Sequence, residues 1–468
     1  MNAVAATLAE IAGKMATLVF TIAAARALGP EGYGAFAYAL SFSMLVATLP
    51  SWGFDLLLVQ RGSADIRQLP RLLGEVLVWR TAIAIPVLAG AGIAGFALRP
   101  STESAVTLVV VLAATVADLY SEPARAAATA MQDQVGISKA LVLQRFAAAA
   151  LAIGALVLGL GLIGLAVAYL IATLAGTLAA WRSVRRIGVR VDLAAVNRRG
   201  LARMGKLSIA IGIDTVISLA LFRVDQVILS ALRGDAALGP YAAAYRLVET
   251  VIFVAWAVAH AVFPIMSGAE RWRIIRGFEQ GMAAVAFFYV PFGVGLFLEA
   301  GPILDLLYGG PYAEAAATAA RWLAVAPLLF AVAYLGGYVL LSLDKRWHIV
   351  TSSLAAAAVN VGMNLALIPS LGGTGAAIAT VTSFAVEGTI EIIMLVPIIG
   401  LLKVHSGLVL PAIASAPMAA LLMLLDQHVL VEVAIGGVVY AVLWFAMARL
   451  WAPEQLSLMR SILPGGGR

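Results

Sequence analysis

The segment RALGPEGYGAFAYAL at 26–40 returns in altered form as RGDAALGPYAAAYRL at 233–247, displaced by 207 residues, nearly half of the chain. The matching positions are Arg26/Arg233, Gly32/Gly239, Ala35/Ala242, Ala37/Ala244, Tyr38/Tyr245 and Leu40/Leu247. A second pair, GLIGLAVA at 161–168 and GGTGAAIA at 372–379, is displaced by 211 residues and keeps both glycines of a G-x-x-G step in register. Alanine matches mean little in an alanine-rich chain, but the shared glycines, Arg and Tyr at nearly one displacement imply an internal duplication. The fold must then hold two similar units.

Composition decides what those units are made of. Apolar residues make up 62% of the chain and charged ones 12%, and the mean hydropathy is +0.99. Soluble domains run to about 45–50% apolar and 25% charged. The apolar stretches reach the roughly 20 residues that a bilayer-spanning helix requires, and the alternation of a membrane β-barrel strand is absent. Every backbone amide in hydrocarbon must be paired within its own segment, so the expectation is an all-α integral membrane protein. The spacing predicts fourteen transmembrane helices, at about 4–28, 34–59, 76–98, 104–130, 141–160, 162–181, 207–232, 239–266, 280–302, 314–343, 350–370, 374–400, 407–425 and 430–451. Met1 to Ala9 carries no basic residue and the following apolar run holds Glu10 and Lys14, so a cleaved signal peptide is not expected.

Lys and Arg set the expected orientation. With the N-terminus in the cytoplasm, twenty-two basic residues fall on inward loops and the tail, and only Arg26, Arg99 and Arg233 fall outward. That asymmetry matches the positive-inside rule for an even number of spans with both termini cytoplasmic. The net charge of +6 is thereby a topology signal, and a nucleic-acid partner is not expected. Eight of the inward charges lie between 182 and 206, a polar segment read as a solvated connector whose arginines sit against anionic membrane lipid. The expected organisation is an N-terminal six-helix lobe at 1–181, the basic connector at 182–206, a C-terminal six-helix lobe at 207–403, and two extra helices with a tail at 404–468. Six helices per half make the repeats parallel, related by an axis along the bilayer normal, with a central cavity between them.

The turn RALGPEGYGAF, GFDLLLVQR at 53–61, FRVDQVILS at 222–230 running into LGPYAAAYRL, and the late GGTGAAIAT together resemble the bacterial polysaccharide-repeat flippases, the O-antigen and exopolysaccharide translocases of the multidrug/oligosaccharidyl-lipid/polysaccharide exporter superfamily. The resemblance covers helices 1–2, 7–8 and 11–12 and agrees with the chain length. It implies a flippase in the bacterial cytoplasmic (inner) membrane that carries an undecaprenyl-pyrophosphate-linked oligosaccharide across by alternating access. It also implies a pathway shared with a polysaccharide polymerase or co-polymerase.

Independently of that resemblance, the remaining six basic residues lie within predicted helices, where a charge costs about 2.5–3.5 kcal/mol on insertion scales and defaults to a functional reading. Asp118, Glu122 and Arg125 follow an i, i+4, i+7 pattern on helix four. Helix seven carries Asp214, Arg223 and Asp225, helix eight Arg246 and Glu249, helix three Arg80 and helix ten Arg321, while helix two ends with Asp55. By depth along their helices, Arg223, Asp225, Arg246 and Glu249 are expected to meet. Arginine offers a pyrophosphate a bidentate fork that stays charged, so Arg223, Arg246, Arg125, Arg80 and Arg321 are candidate substrate residues. Asp225, Glu249, Asp214, Asp118 and Glu122 are candidates for charge balance or for holding a coupling proton or Na⁺. Glu10/Lys14 at i, i+4 forms another potential pair, and Glu387 and Glu391, one turn apart on helix twelve, are like charges that need protonation or water.

Several classes drop out. The chain has no cysteine, its four histidines lack the i, i+4 spacing of a zinc helix, and it has no phosphate-loop lysine motif. No cofactor is expected. The nine tryptophans mostly fall near span ends, where indoles anchor at headgroups, although one or two can serve as stacking faces for sugar. The competing readings are a drug or metabolite antiporter of the same superfamily, which would need a less cationic cavity, and a polytopic polysaccharide-assembly enzyme. The longest expected outward loop, about 303–313, offers that enzyme only Asp305. The chain is therefore not expected to be an enzyme.

Overall fold

The computed structural model describes residues 2–99, 101–267, 270–400, 407–425 and 427–451, and among them it contains helices and no strand. Twelve of these helices are long and apolar enough to cross a membrane. α1 (Asn2–Ser51) is one of them, but Gly29 at φ 67° interrupts it, so it supplies two crossings. α15 (Val409–Leu424) is a shorter apolar helix. With the break and the short helix counted, the crossings number the expected fourteen. Large apolar side chains such as Ile93, Val157 and Leu424 stand open at 75–83% exposure, the arrangement of a multi-span membrane protein whose outer surface meets acyl chains.

The chain divides into two compact units, one ending at Gly239 and one beginning at Pro240. The first unit holds α1, α2 (Phe54–Ala64), α3 (Leu69–Leu98), α4 (Thr102–Ala130), α5 (Gln134–Val157), α6 (Gly161–Arg186) and α7 (Arg198–Arg233). α8 (Asp235–Met266) begins at its end. The second unit continues with α9 (Arg271–Leu298), α10 (Ala300–Tyr308), α11 (Gly310–Leu323), α12 (Ala326–Ser342), α13 (Arg346–Leu371), α14 (Gly373–Ile399), α15 and α16 (Val429–Trp451). The repeated G-x-x-G step does the same work twice. Gly161 and Gly372, its first glycines, stand at φ 59° and 54°, a left-handed conformation that a side chain resists, and each ends the turn that leads into the next helix.

The structure corrects four local expectations. The second span stops at Ser51, not near 59, because Trp52 and Gly53 adopt φ 39° and 67° and turn the chain into α2. Gly53 is required there twice over, since a β-carbon would also lie 2.3 Å from the Cγ2 atom of Ile211. Asp55 therefore occupies the first turn of a new helix. The expected loop at 303–313 is mostly α10, which tolerates Pro302 in its first turn and ends at Gly309 with φ 101°. The tenth span breaks at Ala324–Val325, where Pro327 opens α12. Finally, the connector at 187–197 is docked. Val189 is buried among Leu69, Leu72 and Val76 of α3, the Asp192 N–H donates to the Pro70 carbonyl at 3.1 Å, and the Trp79 indole donates to the Leu201 carbonyl at 3.0 Å. Asn197 caps α7 by accepting from the Gly200 N–H at 2.8 Å. The connector's Arg182, Arg185, Arg186 and Arg190 stay exposed, so only its apolar side is withdrawn.

The last two helices pack within the second unit. Trp444 of α16 is completely buried with its ring 4.5 Å from that of Phe287 on α9, and the Tyr440 hydroxyl donates to the Phe287 carbonyl at 2.7 Å. Association inside a bilayer depends on such van der Waals fit and on interhelical hydrogen bonds. Trp444→Ala is expected to cost about 3 kcal/mol through the cavity it leaves. Thermal unfolding of the detergent-solubilised protein checks this, and an unchanged midpoint would show that α16 is not packed there.

Candidate functional site

In the first unit, four of the sequence-predicted residues lie in one ionic cluster. α4 presents Asp118, Glu122 and Arg125 on one face, as their spacing requires, and α3 supplies Arg80. Arg80 is fully buried, an expensive place for a guanidinium unless its donors are matched. Nη1 donates to the Leu119 carbonyl, Nη2 lies 2.5 Å from Asp55 Oδ2 and 3.2 Å from Glu122 Oε2, and Ser51 Oγ donates to the same Glu122 oxygen at 2.8 Å. One turn along α4, Arg125 Nη1 lies 3.0 Å from Asp118 Oδ1 and 2.6 Å from Ser121 Oγ, and Ser121 also donates to Asp118 at 2.9 Å. The cluster is closed at Arg80 and open elsewhere. The side chains of Glu122 and Asp118 are 34% and 39% exposed. Three carboxylates face two guanidiniums, which leaves one surplus negative charge when all are ionised.

Asp55 belongs to this arrangement through its contact with Arg80, although the sequence showed it only as an acid at a helix end. The turn at Trp52–Gly53 is what carries it back to Arg80.

A second ionic knot links the two copies of the duplicated segment, through Tyr38 of the first and Asp235 of the second. Arg99, counted from sequence only as a loop charge, donates to Asp235, which also accepts from Ser230 Oγ at 2.5 Å, and the guanidinium lies 4.2 Å over the Tyr38 ring. Beside it the backbones are in close approach. A β-carbon on Gly34 would fall 1.9 Å from the Asp235 carbonyl oxygen, and one on Gly239 would fall 2.0 Å from that of Pro30.

On α7, Asp225 is fully buried and accepts from the Gln226 N–H at 2.8 Å, and Gln226 Oε1 accepts from Ser41 Oγ at 2.7 Å. Asp214 and Arg223 are half-buried on the same helix. In the second unit Arg246 and Glu249 pair at 2.9 Å, with side chains 22% and 17% exposed. Arg321 is exposed in the last turn of α11. The side chain of Glu10 lies outside the described residues, as does Lys403.

α13 and α14 share a buried polar seam that the sequence reading missed apart from its two glutamates. Asn364 donates to Asn360 at 2.8 Å, Asn360 to Ser383 at 3.1 Å, Ser353 to Glu387 at 2.6 Å and Ser352 to Glu391 at 3.0 Å. The signal was present as polar residues at i, i+4 in an apolar helix, Asn360 and Asn364 among them. Among the described residues no group of three or more metal-ligating side chains converges.

Comparison with known proteins agrees with this architecture. The profile of the polysaccharide biosynthesis protein family matches residues 1–270. No curated protein matches the sequence. Among solved structures, the lipid II flippase MurJ in an inward closed conformation superposes with a TM-score of 0.77 at 14% identity, covering 95% of this chain and 99% of that one. A multidrug resistance MATE family transporter of the MOP superfamily, inward-facing, gives 0.63 at 13% identity over 83% and 93%. A MOP superfamily transporter from Pyrococcus furiosus gives 0.62 at 17% identity over 85% and 95%. At such identities the likeness is one of fold.

Proposed function

Since this chain belongs to the polysaccharide biosynthesis protein family, we propose that it is a flippase moving an undecaprenyl-pyrophosphate-linked oligosaccharide repeat across the bacterial cytoplasmic membrane by alternating access. The observation that carries this reading is the set of guanidinium–carboxylate pairs on membrane-spanning helices, Arg80–Glu122, Arg125–Asp118 and Arg246–Glu249, where uncompensated charge is costly. Arg125 and Arg246 are partly exposed beside carboxylates, so an incoming pyrophosphate can take over their hydrogen bonds in bidentate form. Arg80 is already committed to Asp55 and Glu122 and holds the first cluster together. The surplus carboxylate of that cluster gives a proton or Na⁺ a place to bind and thereby a means of driving the return step. Both termini lie in the cytoplasm in this reading, and the product passes to a polymerase or co-polymerase on the other side.

The fold is also that of multidrug exporters, and family membership is what favours saccharide cargo over a drug. Replacing Arg223 and Arg246 together by Gln is expected to abolish translocation of a lipid-linked oligosaccharide in reconstituted vesicles while expression stays intact. Wild-type translocation by that double variant would overturn the assignment.

A further inference from the structure

One face of α8 continues beyond Arg246 and Glu249 into a row of rings. Residues 246, 249, 253, 256 and 260 fall within about 80° of one another around a helix of 3.6 residues per turn and extend over about 21 Å. They are Arg246, Glu249, Phe253, Trp256 and His260. The adjoining face, Tyr241, Tyr245, Val248, Ile252, Ala255, Ala259 and Val262, is buried. Trp256 is 41% exposed and His260 is exposed as well. A stripe that holds an ion pair and an imidazole is poorly suited to face acyl chains.

α12 brings matching rings to the far end of the stripe. Phe330 stacks on Tyr334 with centroids 5.3 Å apart, Tyr334 meets Tyr338 at 5.1 Å, and Tyr338 meets the ring of His260 at 5.8 Å. The polar tips are connected as well. The two tyrosine hydroxyls lie 3.4 Å apart, the Tyr338 hydroxyl lies 3.3 Å from His260 Nε2, and His260 Nδ1 lies 2.7 Å from the Trp256 carbonyl. A carbonyl can only accept, so in the neutral imidazole Nδ1 carries the hydrogen and Nε2 receives the Tyr338 proton. Tyr289 shows what a purely packed tyrosine looks like in this unit. It is buried, and its hydroxyl is engaged by the Ala255 N–H and the Val251 carbonyl of α8 at 2.8 and 3.0 Å. Tyr334 and Tyr338 are instead half-open, with long contacts between their tips.

Flat apolar faces edged by hydroxyl and imidazole groups are what a pyranose needs, since its axial C–H face stacks on a ring and its hydroxyls both donate and accept. A drug-like cation would call for carboxylates here, and the nearest acid on the stripe, Glu249, is paired with Arg246. We propose that Trp256, His260, Tyr334 and Tyr338 form a saccharide-binding subsite, holding the sugar end of a lipid-linked glycan whose pyrophosphate is held toward Arg246. This inference rests on the flippase reading and adds to it the place where the glycan is recognised.

The full-length protein in nanodiscs is titrated with two probes, polyprenyl pyrophosphate bearing a neutral disaccharide and the same lipid without sugar. Wild type is expected to bind the sugar-bearing probe at least about tenfold more tightly. Trp256→Ala should erase that preference and leave affinity for the bare lipid unchanged. Tyr338→Phe keeps the ring and the packing but removes the hydroxyl, and it should reduce the preference about threefold. Equal affinity of wild type for both probes, or a preference that survives both substitutions, would overturn the subsite and leave pyrophosphate recognition standing. Failure to bind either lipid would overturn the flippase reading along with it.

Discussion

Arg80→Gln is expected to destabilise the protein by about 3 kcal/mol, because breaking a buried ion pair by removing one partner leaves the other uncompensated. Arg80 is fully buried and is shared by Asp55, Glu122 and the Leu119 carbonyl, so its loss leaves two carboxylates side by side. Their side chains are 24% and 34% exposed, which allows water to relieve part of the repulsion and places the cost at the low end of the usual 3–5 kcal/mol. Adding Asp55→Asn to Arg80→Gln removes one of the stranded charges and should recover part of the loss. Unfolding midpoints of the wild type, both single variants and the double variant would measure this coupling. Strict additivity, or a loss below about 1 kcal/mol for Arg80→Gln, would mean that the three side chains do not share one network.

The second large effect is expected at the glycine contacts beside Arg99. Gly34→Ala places a methyl group 1.9 Å from the Asp235 carbonyl oxygen, and Gly239→Ala places one 2.0 Å from that of Pro30. Both obstacles are main chain, so no rotamer change relieves the clash and the start of α8 must move away from the break in α1. A cost of about 3 kcal/mol is expected for each, the upper part of the range for overpacking. The displacement also separates Arg99 from Asp235, which should appear as greater proteolytic sensitivity near 233–239. Gly154→Ala is the matched control. No heavy atom lies within 4 Å of its added carbon, and the helix interior of α5 should gain about 0.5–1 kcal/mol. If Gly34→Ala behaves like the control, the close approach does not exist in the membrane.

Much of this architecture was legible in the residues. Hydropathy and length gave the number of crossings, and the G-x-x-G echo marked two turns that share a left-handed glycine, Gly161 and Gly372. The i, i+4, i+7 spacing correctly put Asp118, Glu122 and Arg125 on one face of α4 because helical periodicity is local. What periodicity could not show was any partner delivered by another helix. Arg99 and Asp235 are 136 residues apart and each looked like an ordinary loop charge. Asp55 joins Arg80 only because a positive φ at Trp52, which no side-chain preference announces, reverses the chain just before it. Asn360 looked unremarkable until Ser383 of the neighbouring helix was seen to accept its amide proton. The connector misled in a different way, since its many arginines masked Val189 and Val191, the residues that dock it on the first unit.

That docking bears on how the protein is made. Ribosomes deliver the N-terminal half first, at about 5–20 residues per second, so the remainder takes roughly ten seconds or more to emerge. Once Gly239 has left the exit tunnel, the α3 residues that bed Val189, both acids of Arg80 and the Arg99 partner of Asp235 have all been synthesised. The first half therefore carries within itself the acid partners of Arg80 and Arg99, and neither guanidinium has to wait for the rest of the polypeptide to be paired.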